Sequence, residues 1–404
     1  QRNSDLCEIT TKDKSNTAKI ATRELATYWH GKPVSLIKDK TATGEEGFEI
    51  TTDKSNGHIT IKAKNSCGLL YGAYELLRLQ DSGMPVDNIN IKENPAVKYR
   101  ILNHWDNLDR SVERGYAGLS IWKWDEINGD KGTMSLALKE RLTTYCRANA
   151  SIGINGSVIN NVNASPKMLN TLYIKKVKVL ADMFRDYGIK VYLSVNFASP
   201  MAEGGLKTAD PLNEGVRTWW KNKVNEIYKE IPDFGGFLVK ANSEGQPGPG
   251  DYHRTHAEGA NMLAEALAPH GGLVIWRSFV YGNHEGEDRV MQAVTEFEDL
   301  DGKFNSNVIL QTKNGPLDFQ PREPYAPLFD QIKHTPMMAE LQITQEYLGQ
   351  SRHLVYLAPM WKEFFSFVNP KQLIGIAGVA NTGDDANWCG HHFSQANWYA
   401  FGRL

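Results

Sequence analysis

VKANSEGQPGPG, residues 239–250, begins where the apolar run Gly236-Phe237-Leu238-Val239 gives way to a lysine, an acid and a cluster of glycines and prolines. A parallel strand buried on both faces reads as an unbroken apolar run. Phe237 to Val239 has that character, and such a strand carries Lys240 and Glu244 to its C-terminal lip before Pro247 and Pro249 stop the pairing. In α/β barrels that lip is the catalytic face. Three further apolar runs end in charge: LVIWRSFVY (273–281) in Arg277, NVILQTKNGPLDF (307–319) in Lys313 and Asp318, and MMAELQITQEYLG (337–349) in Glu346. If these strands close into a ring, their carboxyl groups converge on one crevice with cations between them.

From Tyr99 onward, strand-like and helix-like segments alternate, the pattern of a parallel sheet with crossover helices. Eight strands are expected, at Tyr99–Asn103, Ile154–Ile159, Lys190–Asn196, Gly236–Lys240, Leu273–Phe279, Asn307–Thr312, Met338–Ile343 and Leu373–Ala380. Helices are expected at Ile174–Tyr187, Val216–Glu230 and Ala257–Ala268, with Gly188 ending the first and Pro269 and Gly271 following the last. Eight such units predict a (β/α)8 TIM barrel over residues 96–404. Ahead of it, residues 1–95 predict a small N-terminal α/β domain. Alternation at Phe48–Thr51 and His58–Lys62 gives strands, and Leu69, Leu70, Tyr74, Leu77 and Leu79 recur at helical spacing between Ser66 and Asp81. The polar stretch Lys92-Glu93-Asn94-Pro95 marks the boundary.

Composition narrows the chemistry. A formal charge of −2 over 404 residues argues against nucleic acid or an anionic membrane as the main partner. No run of eighteen apolar residues is present, so no membrane span is expected. Cys7, Cys67, Cys146 and Cys389 are too scattered for a disulfide framework or a C-x-x-C site and read as structural thiols. His253 and His256 form H-x-x-H and His391-His392 is a doublet, but neither matches a zinc-protease helix or a carboxylate-supported triad, so no metal is expected. No G-x-S-x-G elbow, Walker loop or dinucleotide fingerprint follows a strand, and no cofactor is expected. Trp122 and Trp124 are assigned to loop packing rather than to a sugar platform. The chain begins at Gln1 rather than Met, from which removal of an export signal and a periplasmic or secreted location are expected, a cytoplasmic one being the alternative.

Glycoside hydrolysis needs one carboxylic acid to protonate the leaving oxygen and a second carboxylate to activate water or attack carbon. Glu244, Asp318 and Glu346 supply that inventory. Lys240 and Arg277, at the same lip, suit a bound carboxylate, Arg offering a bidentate fork; with equal weight, they neutralise Glu244 and its neighbours. A cation beside Glu244 lowers its pKa, whereas a general acid working near neutrality needs it raised. The cations should therefore be occupied by an anionic substrate when the acid acts.

NHWDNLD (103–109) followed by ERGYAG (113–118), INNVN (159–163), ASPMAEGGLKTADP (198–211), VKANSEGQPGP (239–249), HAEGANMLAEALAPHGGLVIWR (256–277), KNGPLDFQPREP (313–324) and ELQITQEYLGQ (340–350) together resemble the glycoside hydrolase family 67 α-glucuronidases. The resemblance runs from about Tyr99 to Leu404, and the preceding unit is similar to that family's N-terminal domain. It implies an inverting enzyme that cuts the α-1,2 bond between glucuronic acid, or its 4-O-methyl ether, and the terminal xylose of xylo-oligosaccharides, the aldouronic acids. Carried over by motif, Glu244 is the general acid, and Asp318 and Glu346 flank the attacking water, either one serving as base. Lys240 and Arg277 hold the sugar's carboxylate, Lys313 its hydroxyls, and Trp105 and Val162 line an apolar recess for the methyl ether. The resemblance also implies a homodimer formed through a helical C-terminal domain; with the sequence ending at Leu404, that domain is expected to be absent. Arg110 stands where the family usually has glycine after WDNLD, and is expected to narrow the loop above the first strand or to add a substrate contact. Two other functions fit the same residues: a retaining β-glycosidase with Glu244 as acid and Glu346 as nucleophile, and a non-catalytic uronic-acid-binding protein.

Overall fold

The structure, a computed structural model, describes residues 7–279, 286, 288–380 and 382–404; Val280 and Tyr281, which end one of the runs quoted above, lie outside the described residues. The first part of the chain builds a five-stranded mixed sheet from β1 (Ile9–Thr11), β2 (Val34–Lys38), β3 (Phe48–Thr52), β4 (Ile59–Ala63) and β5 (Asn90–Glu93), in the order β1-β2-β4-β3-β5. Strands β1, β2 and β4 are parallel, and β3 runs against both its neighbours. Helices α1 (Asn16–Tyr28) and α2 (Ser66–Asp81) each start on a side-chain cap, Ser15 accepting from the Ala18 N–H and Asn65 from the Gly68 N–H. The α2 helix and strands β3 and β4 lie where the sequence places them. The chain divides into two compact units: one runs up to Ala96 and takes in Thr143–Ile154 and Met183–Ile189, the other comprises Val97–Leu142, Asn155–Asp182 and Lys190–Leu404.

All eight expected barrel strands form, with ends within two residues of those expected: β6 (Tyr99–Asn103), β7 (Gly156–Val158), β8 (Lys190–Ser194), β9 (Gly236–Val239), β10 (Leu273–Arg277), β11 (Val308–Lys313), β12 (Met337–Gln342) and β13 (Gly375–Val379). Each pairs in parallel with its sequence neighbours, and β13 pairs with β6 to close the ring. Crossover helices include α3 (Leu136–Ser151), α4 (Thr171–Arg185), α5 (Glu214–Glu230) and α6 (His256–Leu267), the last opened by a Thr255/Glu258 capping box. The molecule is thus a (β/α)8 barrel with a small α/β unit. One glycine is demanded by the closure: Gly236, at φ 136, sits where a Cβ would strike the carbonyl oxygen of Leu273 on the neighbouring strand.

The inward faces of the strands set up the site. Ile101, Val158, Tyr192, Leu238, Ile275, Ile309, Met338 and Ala377 form one apolar cluster that fills the barrel. Side chains along a strand alternate between faces, so the next inward positions are two residues on. Asn103, Lys240, Arg277, Gln311 and Glu340 stand there, all buried. Within one inward step the barrel turns from hydrocarbon to charge, at the C-terminal end of the strands.

Candidate active site

Beyond Val239 the chain carries Lys240 inward and then turns sharply. Asn242 and Glu244 both adopt left-handed backbone, at φ 51 and 50. Asn242 pins the turn, its Oδ1 accepting from the Gly250 N–H at 2.8 Å and its Nδ2 donating to Asp251 Oδ1 at 2.9 Å. At Gly248 a Cβ would lie 2.7 Å from the Asn242 nitrogen, so the turn closes only around glycine. Left-handed backbone at a non-glycine residue costs about 1–3 kcal/mol and is concentrated at functional sites. Here it presents the half-exposed Glu244 to the mouth of the barrel.

Buried Lys240 donates to Glu244 Oε2 and, at 2.9 Å, to Asn163 Oδ1. Burial pushes the Glu244 carboxyl up, but the Lys240 hydrogen bond and the charges of Lys240, Lys313 and Arg277 outweigh it and hold the group below the ordinary glutamate range. The conflict expected at this acid is therefore present when the site holds no anion. Lys240 itself is lowered, first by burial and then by the Arg277 charge.

Arg277 makes a fork-to-fork pair with Glu340, Nε to Oε2 at 2.8 Å and Nη2 to Oε1 at 2.7 Å, both side chains buried. Gln311 joins that pair to the first strand, its Nε2 donating to Glu340 Oε2 at 2.6 Å and to Asn103 Oδ1 at 2.8 Å. Lys313 donates to Asp318 Oδ1 at 2.6 Å, and its ammonium lies 3.3 Å from the Phe279 ring centroid and 4.8 Å from that of Phe319. Burial and the Arg277 charge bring Lys313 down to about 8. Asp318 takes a second bond, from the Tyr347 hydroxyl to Oδ2 at 2.6 Å. Burial alone would raise Asp318, yet Lys313, Tyr347 and Arg277 together hold it low. Glu346 goes the other way: burial and the Asp318 charge raise it, against the Gln342 hydrogen bond at 3.0 Å and Arg114, whose Nε lies 3.1 Å from Oε1.

The structure thus brings Lys240, Glu244, Arg277, Lys313, Asp318 and Glu346 into one electrostatically coupled group, in which Glu244 and Asp318 both feel Arg277, and Glu346 feels Asp318 and Lys313. Trp105 and Val162 join Phe319 in the apolar cluster beneath it, and the Trp105 ring centroid lies 5.8 Å from the Arg277 guanidinium carbon. Trp122 and Trp124 are buried, as loop packing requires. Trp276 donates to His256 Nδ1 at 3.2 Å, and His256 Nε2 meets Glu296 at 3.0 Å, so this histidine links helix to strand. Among the described residues no three His, Cys, Asp or Glu side chains converge as a metal site needs, and no helix is long and apolar enough to cross a membrane. Arg110, at φ 72, bonds the Ser120 carbonyl and Asp384 Oδ2, the latter at 2.7 Å. Through these bonds it braces two loops against each other.

Sequence reasoning passed over Glu113, Arg114, Asn163, Gln311, Glu340, Gln342 and Tyr347. Glu340 carried a usable signal: an acid inside an otherwise apolar strand must find a buried cation. Gln311 and Gln342 lie on strands and bond Glu340 and Glu346, whereas Glu113, Arg114, Asn163 and Tyr347 meet partners far apart in sequence, where spacing says nothing.

A parallel barrel that collects three carboxyl groups and three buried cations at the C-terminal ends of its strands has the architecture of the (β/α)8 glycoside hydrolases. Residues 79–388 match the glycosyl hydrolase family 67 middle domain, and the chain belongs to that family. It is 45% identical to the probable alpha-glucuronidase A of Aspergillus clavatus over 89% of its own length and 44% of the relative's. It is 42% identical to the alpha-glucuronidase A of Emericella nidulans over 98% and 49%, and 43% identical to the alpha-glucuronidase of Hypocrea jecorina over 91% and 46%. The chain therefore spans about half the length of these relatives. Among solved structures, a family GH138 enzyme targeting pectin rhamnogalacturonan II has a TM-score of 0.61 at 15% identity, covering 98% of this chain and 50% of its own. A family GH115 4-O-methyl-alpha-glucuronidase has 0.57 at 12%, covering 98% and 55%. At those identities the likeness is one of fold.

Proposed function

We propose that the chain carries the active site of an inverting α-glucuronidase, hydrolysing the α-1,2 bond between glucuronic acid, or its 4-O-methyl ether, and the terminal xylose of xylo-oligosaccharides. The observation that carries this is the gathering of Glu244, Asp318 and Glu346 around Lys240, Arg277 and Lys313, supported by relatives named alpha-glucuronidases. A uronic acid differs from a neutral sugar by one negative charge, and buried cations at the mouth favour it. The sugar's carboxylate takes Lys240 and Arg277 as partners. Lys240 then releases Glu244, whose carboxyl rises toward the value its burial favours and holds a proton. Glu244 gives that proton to the glycosidic oxygen as the bond to the anomeric carbon breaks. Water attacks that carbon from the opposite face and yields its proton to Asp318 or Glu346, so the α-linkage gives the β-sugar.

The test is product analysis on aldotriouronic acid, with proton NMR of the first-formed anomer. β-Glucuronic acid is expected, and loss of the proton donor in Glu244→Ala should cost about 10²–10⁴-fold in kcat. An α-anomer formed first would mean retention and a nucleophilic carboxylate instead. Full activity in Glu244→Ala would remove Glu244 from the role of acid.

A further inference from the structure

We propose that Glu113 is the positioning residue for Lys240, fixing the side-chain amide of Asn163 so that its oxygen faces the lysine ammonium. This rests on the function proposed above and goes beyond it, because Glu113 is no part of the carboxylate triad or the cation clamp.

The chain of contacts is directional. Glu113 Oε2 accepts from Asn163 Nδ2 at 2.8 Å and from Asn161 Nδ2 at 2.8 Å, and Asn161 Nδ2 also donates to Asn107 Oδ1 at 3.0 Å. An ionised carboxylate only accepts, and an ammonium only donates. An asparagine between the two has one orientation that satisfies both ends, nitrogen to Glu113 and oxygen to Lys240, and that is the orientation found, with Lys240 Nζ 2.9 Å from Asn163 Oδ1. Asn161 is held in turn, since its Oδ1 accepts from the Asn163 backbone N–H at 3.2 Å. The base of the relay is rigid: the Glu113 N–H donates to the Trp105 carbonyl at 2.9 Å, just beyond strand β6. Lys240 thus has two acceptors, Asn163 fixed from behind and Glu244 in front. When an anionic sugar displaces Glu244, Asn163 is what keeps the ammonium aimed.

The charge of Glu113 acts through the same relay. The charged groups bearing on Lys240 are Arg277 from the neighbouring strand, Glu244 from its own loop, and Glu113; burial and Arg277 disfavour its ammonium, and Glu244 and Glu113 favour it. Removing the Glu113 charge weakens that support and lets the Asn163 amide turn its nitrogen toward Lys240.

Two variants test this. Glu113→Gln keeps the shape and loses the charge. In Glu113→Gln/Asn163→Asp, residue 113 can donate and residue 163 accepts from both sides, which restores the polarity of the relay. The Lys240 ammonium is followed by a 13Cε NMR titration of 13C-lysine-labelled protein, its signal identified by loss in Lys240→Met. Kinetics on aldotriouronic acid are measured against pH, with Lys313 common to all variants. Glu113→Gln is expected to move the Lys240 titration to lower pH, to bring the alkaline rise in KM down with it, and to raise KM about tenfold with a smaller change in kcat. The double variant is expected to return the Lys240 titration to the wild-type pH or above and to recover most of the KM. A Lys240 titration unmoved in Glu113→Gln, or a double variant further from wild type than the single one, would overturn the proposal. If the wild-type protein cleaves no aldouronic acid, the functional proposal fails, and the titration still decides the role of Glu113.

Discussion

Tyr347 donates to one oxygen of Asp318 while Lys313 holds the other, and both bonds favour the ionised acid. A hydrogen bond to a charged group contributes about 1.5–3 kcal/mol. Tyr347→Phe should therefore raise the Asp318 pKa, since the lost bond favoured the ionised form. A carboxylate that must be ionised to act gives an activity that falls as pH drops through its pKa, so the acid limb of kcat/KM should move to higher pH in Tyr347→Phe; an unmoved limb would place Asp318 outside the reaction. Glu340 makes a second case. It is sealed against Arg277, and removing one partner of such a pair costs about 3–5 kcal/mol. Glu340→Ala should lower the midpoint of chemical denaturation accordingly, and midpoints equal within error would show that the pair carries no load. Asp106 tests burial: desolvation pushes its carboxyl up to about 7 against a hydrogen bond with Ser120, and its Oδ2 has no hydrogen-bond partner among the described residues. Between about pH 4 and 7 the unfolded chain has released this proton and the folded chain still holds it, so stability falls as pH rises through that window. Asp106→Asn should flatten the fall, measured as melting temperature against pH. At this scale Lys240, Arg277 and Lys313 were legible because charge closing an apolar run marks the end of a buried strand, and Glu244, Asp318 and Glu346 because they follow such strands within a few residues. Glu113, Asn163 and Tyr347 were not, because their partners lie in other loops.

Strands and turns were easier to read than the contacts between them. Most barrel strands are built on an apolar run, unbroken in Gly236–Val239 and in Leu273–Trp276, because burial on both faces favours one. β1 and β2 went unread because they are short and partly polar, and β5 because it alternates exposed polar residues at a sheet edge. Such strands are specified by the neighbours they pair with rather than by their own pattern. Two glycines carry element-scale predictions. Gly236→Ala should push β9 off β10, destabilising the barrel by about 1–3 kcal/mol as overpacking does, read from denaturation midpoints. Gly248→Ala acts on the turn that presents Glu244 and is expected to lower kcat on aldotriouronic acid about tenfold or more with little change in melting temperature, because displacement of a catalytic group costs rate before it costs stability. A wild-type kcat in Gly248→Ala would show that the turn does not set the acid's position.

At the scale of the whole molecule, charge is balanced in pairs. Among the described residues around the mouth, Lys240 meets Glu244, Arg277 meets Glu340, Lys313 meets Asp318 and Arg114 meets Glu346. An anionic sugar adds a negative charge to a site whose cations are already paired with carboxylates, and protonating Glu244 offsets it. Binding of glucuronic acid near pH 7 should therefore take up close to one proton. Calorimetry in phosphate and in Tris should give enthalpies that differ by the difference in buffer ionisation enthalpy; equal enthalpies would show that Glu244 stays ionised. The step from hydrocarbon to charge along the barrel's inner faces has a further consequence. Function here is indexed to odd and even positions: inserting a single residue early in β10 would turn Arg277 out toward the surrounding helices and bring an aliphatic neighbour in, whereas inserting two would keep its facing and only shift its height.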